Sequence, residues 1–167
     1  LDAIRGSYHI AVEAGVGIGK SYAYLVPLLL YNQKTKLPVV IATSTIALQE
    51  QLMGDIERIS PMIGVHPEVL LAKGQTHYIC QMRATDYFAT PEGQPLARLK
   101  QLIDEGCQDR RTFPTPIPSN VWDKINVVRY SRRICFGCPF SDRCQYATLR
   151  DNMKYTNGII LCNQDLL

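Results

Sequence analysis

Short apolar runs alternate with longer segments of helical periodicity in the first part of the chain. The alternating run at 9–12 predicts the end of a buried strand, and the mostly apolar segment 22–30 predicts a helix. The β-branched run at 39–42 predicts a parallel strand buried on both faces. A second helix is predicted from 46 to about 59, and another strand at 69–72. This order of elements is typical of an α/β fold with a parallel sheet.

The pattern changes at Lys73. Between 84 and 128 there is little periodicity, and prolines are frequent there: Pro91, Pro95, Pro114, Pro116 and Pro118. Short helices are predicted at 95–105 and 121–127, where Trp122 would anchor a small core.

A longer helix is predicted at 142–154, and the apolar segment 158–162 returns to the strand type of the first part. The sequence therefore predicts an α/β domain formed by 1–72 and 156–167, with a mostly helical or irregular module inserted at 73–155.

The most specific motif is a glycine-rich segment between the predicted first strand and first helix. It ends in Gly-Lys-Ser, the signature of a phosphate-binding loop, whose glycines allow backbone N–H groups to approach a phosphate. Lys20 is predicted to contact the β- and γ-phosphates, and Ser21 to ligate Mg²⁺. Ala14 stands where the usual pattern has glycine. The predicted nucleotide-binding residues are Ala14, Gly15, Val16, Gly17, Ile18, Gly19, Lys20 and Ser21.

Composition narrows the class of protein. The chain has 167 residues, is 46% hydrophobic and 20% charged, and carries a net charge of +3, as expected for a soluble globular protein. It lacks an apolar run long enough to cross a bilayer and lacks a signal-peptide pattern. No acidic pair follows an apolar strand, although a P-loop NTPase needs one for magnesium. We therefore expect the chain to be part of a larger ATPase.

The cysteines form a second constellation. Six cysteines without a secretory signal favour a reducing compartment and metal binding over disulfides. Cys135, Cys138 and Cys144 form a compact trio, and the fourth ligand would be Cys80, Cys107 or Cys162. We select Cys80, because the two ends of an inserted module lie close together. Spacing alone favours zinc and a [4Fe–4S] cluster about equally.

Charge around the trio indicates a polyanionic partner. The segment 129–154 carries six basic and two acidic residues, a net charge of +4. The basic residues are Arg129, Arg132, Arg133, Arg143, Arg150 and Lys154. A metal-bound basic module beside an ATPase core suggests nucleic-acid binding, although a basic surface in contact with solvent alone is common.

Taken together, these motifs resemble the first motor domain of DinG/XPD-like superfamily 2 iron–sulfur helicases, and the bacterial DinG branch most. Residues 13–21 resemble the family's Glu-Ala-Gly-Thr-Gly-Thr-Gly-Lys-Thr motif, with Val16 and Ile18 in place of threonines. Residues 40–52 resemble its next motif, which contacts the single-strand backbone. Residues 73–80 are similar to the segment that carries the first cluster cysteine, and 158–167 to the strand before the acidic motif.

The resemblance implies a RecA-like P-loop fold with a cysteine-ligated iron–sulfur module. It implies that Cys80, Cys135, Cys138 and Cys144 hold a [4Fe–4S] cluster, and that ATP and Mg²⁺ are bound. The implied activity is a DNA helicase, moving 5′ to 3′, in repair or replication in the bacterial cytoplasm at the nucleoid. Its partners would be single-stranded or forked DNA and a second motor domain. The DNA contacts expected are Thr43, Thr45, Gln49, Lys73 and Arg83.

Two other classes fit some of these features. One is a zinc-stabilised nucleic-acid-binding module with a vestigial P-loop, which would be colourless and bind no nucleotide. The other is a P-loop enzyme, such as a kinase, that acts on a small molecule. Without the acidic motif and the second motor domain, we expect this chain alone neither to hydrolyse ATP well nor to unwind DNA.

Overall fold

A computed structural model of the chain describes residues 2–15, 17 and 19–166. The chain divides into two compact units. The first unit comprises Leu1–Ala72 and Thr156–Leu167, and the second comprises Lys73–Tyr155.

The first unit contains a three-stranded parallel sheet. Its described elements are α1 (Asp2–Gly6), α2 (Lys20–Thr35), β1 (Val39–Thr43), α3 (Ile46–Met62), β2 (Val69–Ala72), β3 (Ile159–Asn163) and a short 3₁₀ turn (Gln164–Leu166). The strand order is β1-β3-β2, and Ile159 of β3 is in register with Val39 of β1 and with Val69 of β2. The predicted α/β fold with a parallel sheet is therefore confirmed.

The core of the first unit joins the two long helices to the sheet. Leu25 and Leu29 of α2 are packed in one cluster with residues of α3, β1 and β3: Leu52, Ile56, Ile59, Val39, Ile41, Ile159 and Leu161. Along β1 buried and exposed residues alternate, and Val40 is 51% exposed. The prediction that this strand is buried on both faces is therefore wrong. β1 is an edge strand among the described residues, whereas the central β3 is buried on both faces.

The strand predicted at 9–12 does not form. These residues have no regular secondary structure, and Ile10 and Val12 are 67% and 76% exposed. Apolar and polar residues do alternate at 9–12, but a strand also needs a neighbouring strand with which to form backbone hydrogen bonds. None of the described strands pairs with these residues.

The second unit is built from short helices and turns. Its α-helices are α4 (Gln81–Phe88), α5 (Ala97–Asp104), α6 (Ser119–Ile125), α7 (Arg132–Cys135) and α8 (Gln145–Tyr155). The 3₁₀ turns are Gln75–His77, Arg110–Thr112 and Ser141–Arg143. α5, α6 and α8 confirm the three predicted helices within a few residues, whereas α4 and α7 were not predicted. None of the helices in the described ranges is both long and apolar enough to cross a membrane.

Trp122 anchors the core of the second unit, as predicted. It is 1% exposed, its ring lies edge-on to Phe113 at 6.3 Å, and its Nε1 donates to the Thr76 carbonyl at 2.7 Å. Ile79 and Ile125 are fully buried in the same cluster. Two isolated antiparallel bridges, Tyr78 with Asp109 and Ile79 with Asn126, connect the segments of this core, and the described residues of this unit form no sheet.

Candidate functional site

The glycine-rich loop leads directly into α2. Gly17 and Gly19 have φ of 80° and 76°, a left-handed conformation that glycine adopts without steric cost. Lys20 is the first residue of α2, and its exposed Nζ donates to the Ala14 carbonyl at 3.1 Å. Val16 and Ile18 lie outside the described residues. The loop therefore brings a lysine and the positive end of a 16-residue helix dipole to one exposed turn.

Ser21, the predicted magnesium ligand, is half-buried and hydrogen-bonds to Tyr24 one turn further along α2. Burial raises the pKa of Tyr24, and the hydrogen bond with Ser21 acts in the opposite direction.

The four predicted cluster cysteines line one cavity in the second unit. The cavity has a volume of about 650 Å³, and Cys80, Cys135, Cys138 and Cys144 all contribute to its wall. All four are half-buried and free of disulfides. Cys107 packs instead against the Trp122 core, and Cys162 is buried in β3 of the first unit. Among the residues that the structure describes, no three His, Cys, Asp or Glu residues are arranged to hold a single metal ion.

Backbone bridges fix the position of Cys80. Its N–H donates to the Ile125 carbonyl at 2.8 Å, and the preceding Ile79 donates to the Gln108 carbonyl at 2.8 Å. Arg83, which lines the same cavity, donates from Nη1 to the Asn126 carbonyl and from Nη2 to the Asp123 carbonyl at 2.9 Å. These contacts hold the Cys80 segment against the end of α6.

The trio is shaped by two consecutive turns. Ser131 caps the short helix α7 by accepting from the Ile134 N–H at 3.0 Å, and Cys135 ends that helix. The Cys138 N–H then donates to the Cys135 carbonyl at 3.1 Å. Gly137 lies between these two cysteines with φ of 81°, a conformation that the tight turn requires and that a side chain would disfavour. Cys135 and Cys138 both line the cavity.

Cys144 lies directly before Gln145, the first residue of α8. Burial raises the pKa of the Cys144 thiol above its ordinary value, and the nearby backbone N–H groups of Ala147 and Tyr146 act in the opposite direction. A helix N-terminus also favours negative charge, which suits a thiolate ligand.

Three tyrosines pack together beside the cavity. The Tyr146 ring lies 5.2 Å from the Tyr130 ring and 5.4 Å from the Tyr78 ring, and Tyr130 lines the cavity. Burial, followed by the charge of Asp109, raises the pKa of Tyr78 to about 12. Of the three tyrosines, Tyr130 lines the cavity, and Tyr146 packs against it.

The predicted DNA contacts in the first unit differ in exposure. Thr45 is exposed and caps α3, since its Oγ1 accepts from the Leu48 N–H at 3.2 Å. Thr43 is buried and donates to the Thr45 carbonyl at 2.9 Å. Gln49 is fully buried, and its Nε2 donates to the carbonyls of Ala72 and Leu161. DNA contact by these residues stays a prediction. Of Thr43, Thr45 and Gln49, Thr45 alone is exposed.

Lys73 and Arg83, the other two predicted DNA contacts, make structural interactions in the second unit. Lys73 is 4% exposed, and its Nζ lies 2.6 Å from Asp109 Oδ2. Arg83 is half-buried and bound to the carbonyl groups at the end of α6. DNA contact by Lys73 and Arg83 also stays a prediction.

One structural residue gave no signal in the sequence. Gln108 belongs to no motif and lies in a segment without periodicity, yet it is 3% exposed and hydrogen-bonded to both neighbours of Cys144. Only the tertiary structure reveals this contact, because the two segments are 35 to 37 positions apart.

A parallel sheet with a glycine-rich turn at the start of a helix defines an α/β P-loop NTPase-like chain. It matches no protein-family model. Over 98% of its length it is 32% identical to the ATP-dependent DNA helicase DinG of Photobacterium profundum, and over 85% it is 29% identical to the ATP-dependent helicase DinG of Mycobacterium tuberculosis. Over 60% it is 40% identical to the ATP-dependent DNA helicase YoaA of Escherichia coli.

These relatives confirm the resemblance to DinG-like helicases, and the chain is related to them over most of its length. It spans 27% and 25% of the two DinG proteins and 15% of YoaA. It therefore corresponds to about a quarter of a DinG helicase.

Proposed function

We propose that this chain is the ATP-binding and cluster-binding part of an ATP-dependent DNA helicase. In this proposal the first unit binds ATP and Mg²⁺ at the glycine-rich loop, and the second unit binds a [4Fe–4S] cluster. Single-stranded DNA would contact both units, and a second motor domain would complete the ATPase. The observation that carries the proposal is the convergence of Cys80, Cys135, Cys138 and Cys144 on one cavity, in a chain related to DinG helicases.

The donor set and the space fit an iron–sulfur cluster. Four cysteine thiolates are the usual ligands of a [4Fe–4S] cluster, and the cavity of about 650 Å³ has room for more than a single ion. When bound, the cluster would link the separate segments that carry its ligands, and it would supply redox chemistry. The helix N-terminus at Cys144 and the turn at Gly137 would stabilise and orient the thiolates.

At the glycine-rich loop, backbone N–H groups would surround the phosphates, and the dipole of α2 would favour their negative charge. Lys20 would exchange the Ala14 carbonyl for the γ-phosphate and neutralise charge that develops during phosphoryl transfer. Ser21 would hold Mg²⁺ once it releases Tyr24.

The first experiment is an absorption spectrum of protein purified without oxygen, with iron, sulfide and zinc assayed on the same sample. We expect a brown protein with a broad band near ~400 nm and roughly four irons and four sulfides per chain. A colourless protein with one stoichiometric zinc would refute the iron–sulfur proposal in favour of a zinc module.

Two serine variants test the ligand set. Cys80→Ser should lose the cluster, because Cys80 lines the cavity. Cys107→Ser is the matched control and should keep it, because Cys107 packs against the Trp122 core. Equal iron content in the two variants would contradict the assignment of Cys80.

Thr45 is the residue of the first unit that we propose contacts the DNA backbone, since it is exposed at the N-terminus of the 17-residue helix α3. Thr45→Asp retains a good N-cap but places negative charge beside a phosphate. We expect thermal stability to be unchanged and the affinity for a single-stranded oligonucleotide to fall. Thr45→Ser, which keeps both the cap and the hydroxyl, should bind as the wild type does. Unchanged binding by Thr45→Asp would exclude this contact.

The helicase activity is tested in the full-length protein. We expect ATP hydrolysis to be stimulated by single-stranded DNA, and unwinding of a fork with a 5′ single-stranded tail. Hydrolysis that a small-molecule acceptor stimulates and DNA does not would instead favour a P-loop kinase. A role in repair or replication would follow from sensitivity of a deletion strain to DNA damage.

A further inference from the structure

We infer that Gln108 is a positioning residue for the cluster: it clamps the backbone on both sides of Cys144 and anchors the segment that carries Cys80. This inference rests on the proposed cluster. It adds a residue that lies outside the ligand set and outside every motif of the sequence.

The side-chain amide of Gln108 makes one hydrogen bond to each neighbour of Cys144. Nε2 donates to the Arg143 carbonyl at 2.6 Å, and Oε1 accepts from the Gln145 N–H at 3.0 Å. Because Gln108 is 3% exposed, water competes little for these bonds. The cysteine between the two contacts is therefore held by the backbone before and after it.

The main chain of Gln108 holds a second ligand segment. Its carbonyl accepts from the Ile79 N–H at 2.8 Å, directly before Cys80. One residue thus connects two segments that each contribute a sulfur to the cavity. A further bond, from Gln145 Nε2 to the Gly106 carbonyl at 3.0 Å, reinforces the link between residues 106–108 and the start of α8.

Hydrogen bonds at the start of α8 explain why an amide is suited to this position. The first N–H of the helix, from Gln145, donates to Gln108 at 3.0 Å, directly after Cys144. Gln108 therefore supplies a side-chain cap for the N-terminus of α8 beside a proposed ligand. Contacts that orient a ligand influence the stability and potential of a metal centre.

The Gln108 amide donates and accepts at the same time, whereas leucine can do neither and an ionised glutamate can only accept. Gln108→Leu has similar size but loses both bonds, which leaves the Arg143 carbonyl and the Gln145 N–H without this partner. Gln108→Glu keeps the bond from Gln145, loses the donation to Arg143 and adds a negative charge near the thiolates. We expect the leucine variant to bind the cluster least firmly and the glutamate variant to be intermediate.

The test compares Gln108→Leu and Gln108→Glu with two controls, all purified without oxygen. Gln101→Leu removes an exposed glutamine of α5 that bonds to Arg98 and Glu105 on the surface. Val121→Ala weakens the Trp122 core at a site outside the cavity lining. The readouts are iron and sulfide per chain, the rate at which the ~400 nm band disappears in a chelator, the reduction potential, and urea unfolding of the cluster-free protein.

We expect Gln108→Leu to lose the cluster roughly 10- to 100-fold faster than the wild type, with an altered reduction potential, as is typical for contacts that orient metal ligands. Gln101→Leu should match the wild type. Val121→Ala should unfold more easily but keep the potential. A Gln108→Leu variant with wild-type loss rate and potential would overturn the inference. So would a Val121→Ala variant of equal instability that loses the cluster equally fast. A wild type without iron and sulfide would instead refute the proposed function.

Discussion

The buried ion pair between Lys73 and Asp109 allows a quantitative test of the second unit. The Lys73 side chain is 5% exposed and the Asp109 side chain 16%, and their charged atoms are 2.6 Å apart. Lys73→Met removes the cation of this pair, and Asp109→Asn removes its anion. The asparagine can still accept from the Arg111 N–H, which Asp109 Oδ1 now does at 3.0 Å.

The expected magnitude follows from this burial. At this separation the gross attraction is about 6 kcal/mol at an effective dielectric constant near 20, and the cost of desolvating both groups offsets most of it. Removal of one partner from a buried pair destabilises by about 3 to 5 kcal/mol. Because Asp109 retains some exposure and one backbone donor, we expect about 3 kcal/mol for each single variant. The double variant should also cost about 3 kcal/mol, which gives a coupling energy near 3 kcal/mol.

The assay is urea unfolding followed by tryptophan fluorescence. Trp122 is the single tryptophan of the chain and is buried in the second unit, so the signal reports on that unit alone. The exposed pair Arg132 and Asp151, with side chains 62% and 49% exposed, is the matched control, and its coupling should be much weaker because solvent screens exposed charges. Additive costs for Lys73→Met and Asp109→Asn, within about 0.5 kcal/mol, would refute this argument.

Three further outcomes are expected. Gly158→Ala should destabilise the first unit in far-UV circular dichroism melts, because the added Cβ would lie 2.3 Å from the Glu68 carbonyl oxygen. Gly54→Ala in α3 is the control: its Cβ meets no atom within 4 Å, so it should stabilise the unit by about 0.5 to 1 kcal/mol. The folded second unit favours the neutral phenol of Tyr78 and raises its pKa from 10.0 to about 12. The stability that this provides should be full below pH 10 and should fall by up to about 3 kcal/mol as the pH rises toward 12. Tyr78→Phe should abolish this slope in the tryptophan assay. Lys20→Ala should weaken ATP binding about 10- to 100-fold by calorimetry, and unchanged affinity would exclude the predicted phosphate contact.

Local patterns were sufficient for much of the fold. The strands 39–42, 69–72 and 158–162 and the helix from 46 form close to the predicted positions, because each run carries its own periodicity and caps. The run at 9–12 failed because alternation does not show where a strand finds its neighbour. α4 and α7 are too short for their periodicity to be distinguished in a segment rich in turns.

The grouping of the cysteines and the conformation of the loop glycines were predictable, because local spacing determines both. The trio and Cys80 line one cavity, and the glycines of the loop adopt the backbone conformation that their motif indicates. Polar residues with distant partners were not predictable. Gln49 bonds to carbonyls 23 and 112 positions away, and Lys73 to a carboxylate 36 positions away, so no local pattern distinguishes them from surface residues.

The central position of β3 also determines the order in which the first unit can fold during synthesis. β1 and β2 pair only with β3 among the described strands, so both remain without their sheet partner while the ribosome makes the whole of 73–155. At typical elongation rates this interval lasts on the order of ten seconds. The second unit is one continuous segment of the chain, so it is synthesised whole before β3. The nascent chain exposes the unpaired edges of two apolar strands until β3 emerges, and we expect its dependence on chaperones to be greatest during this interval.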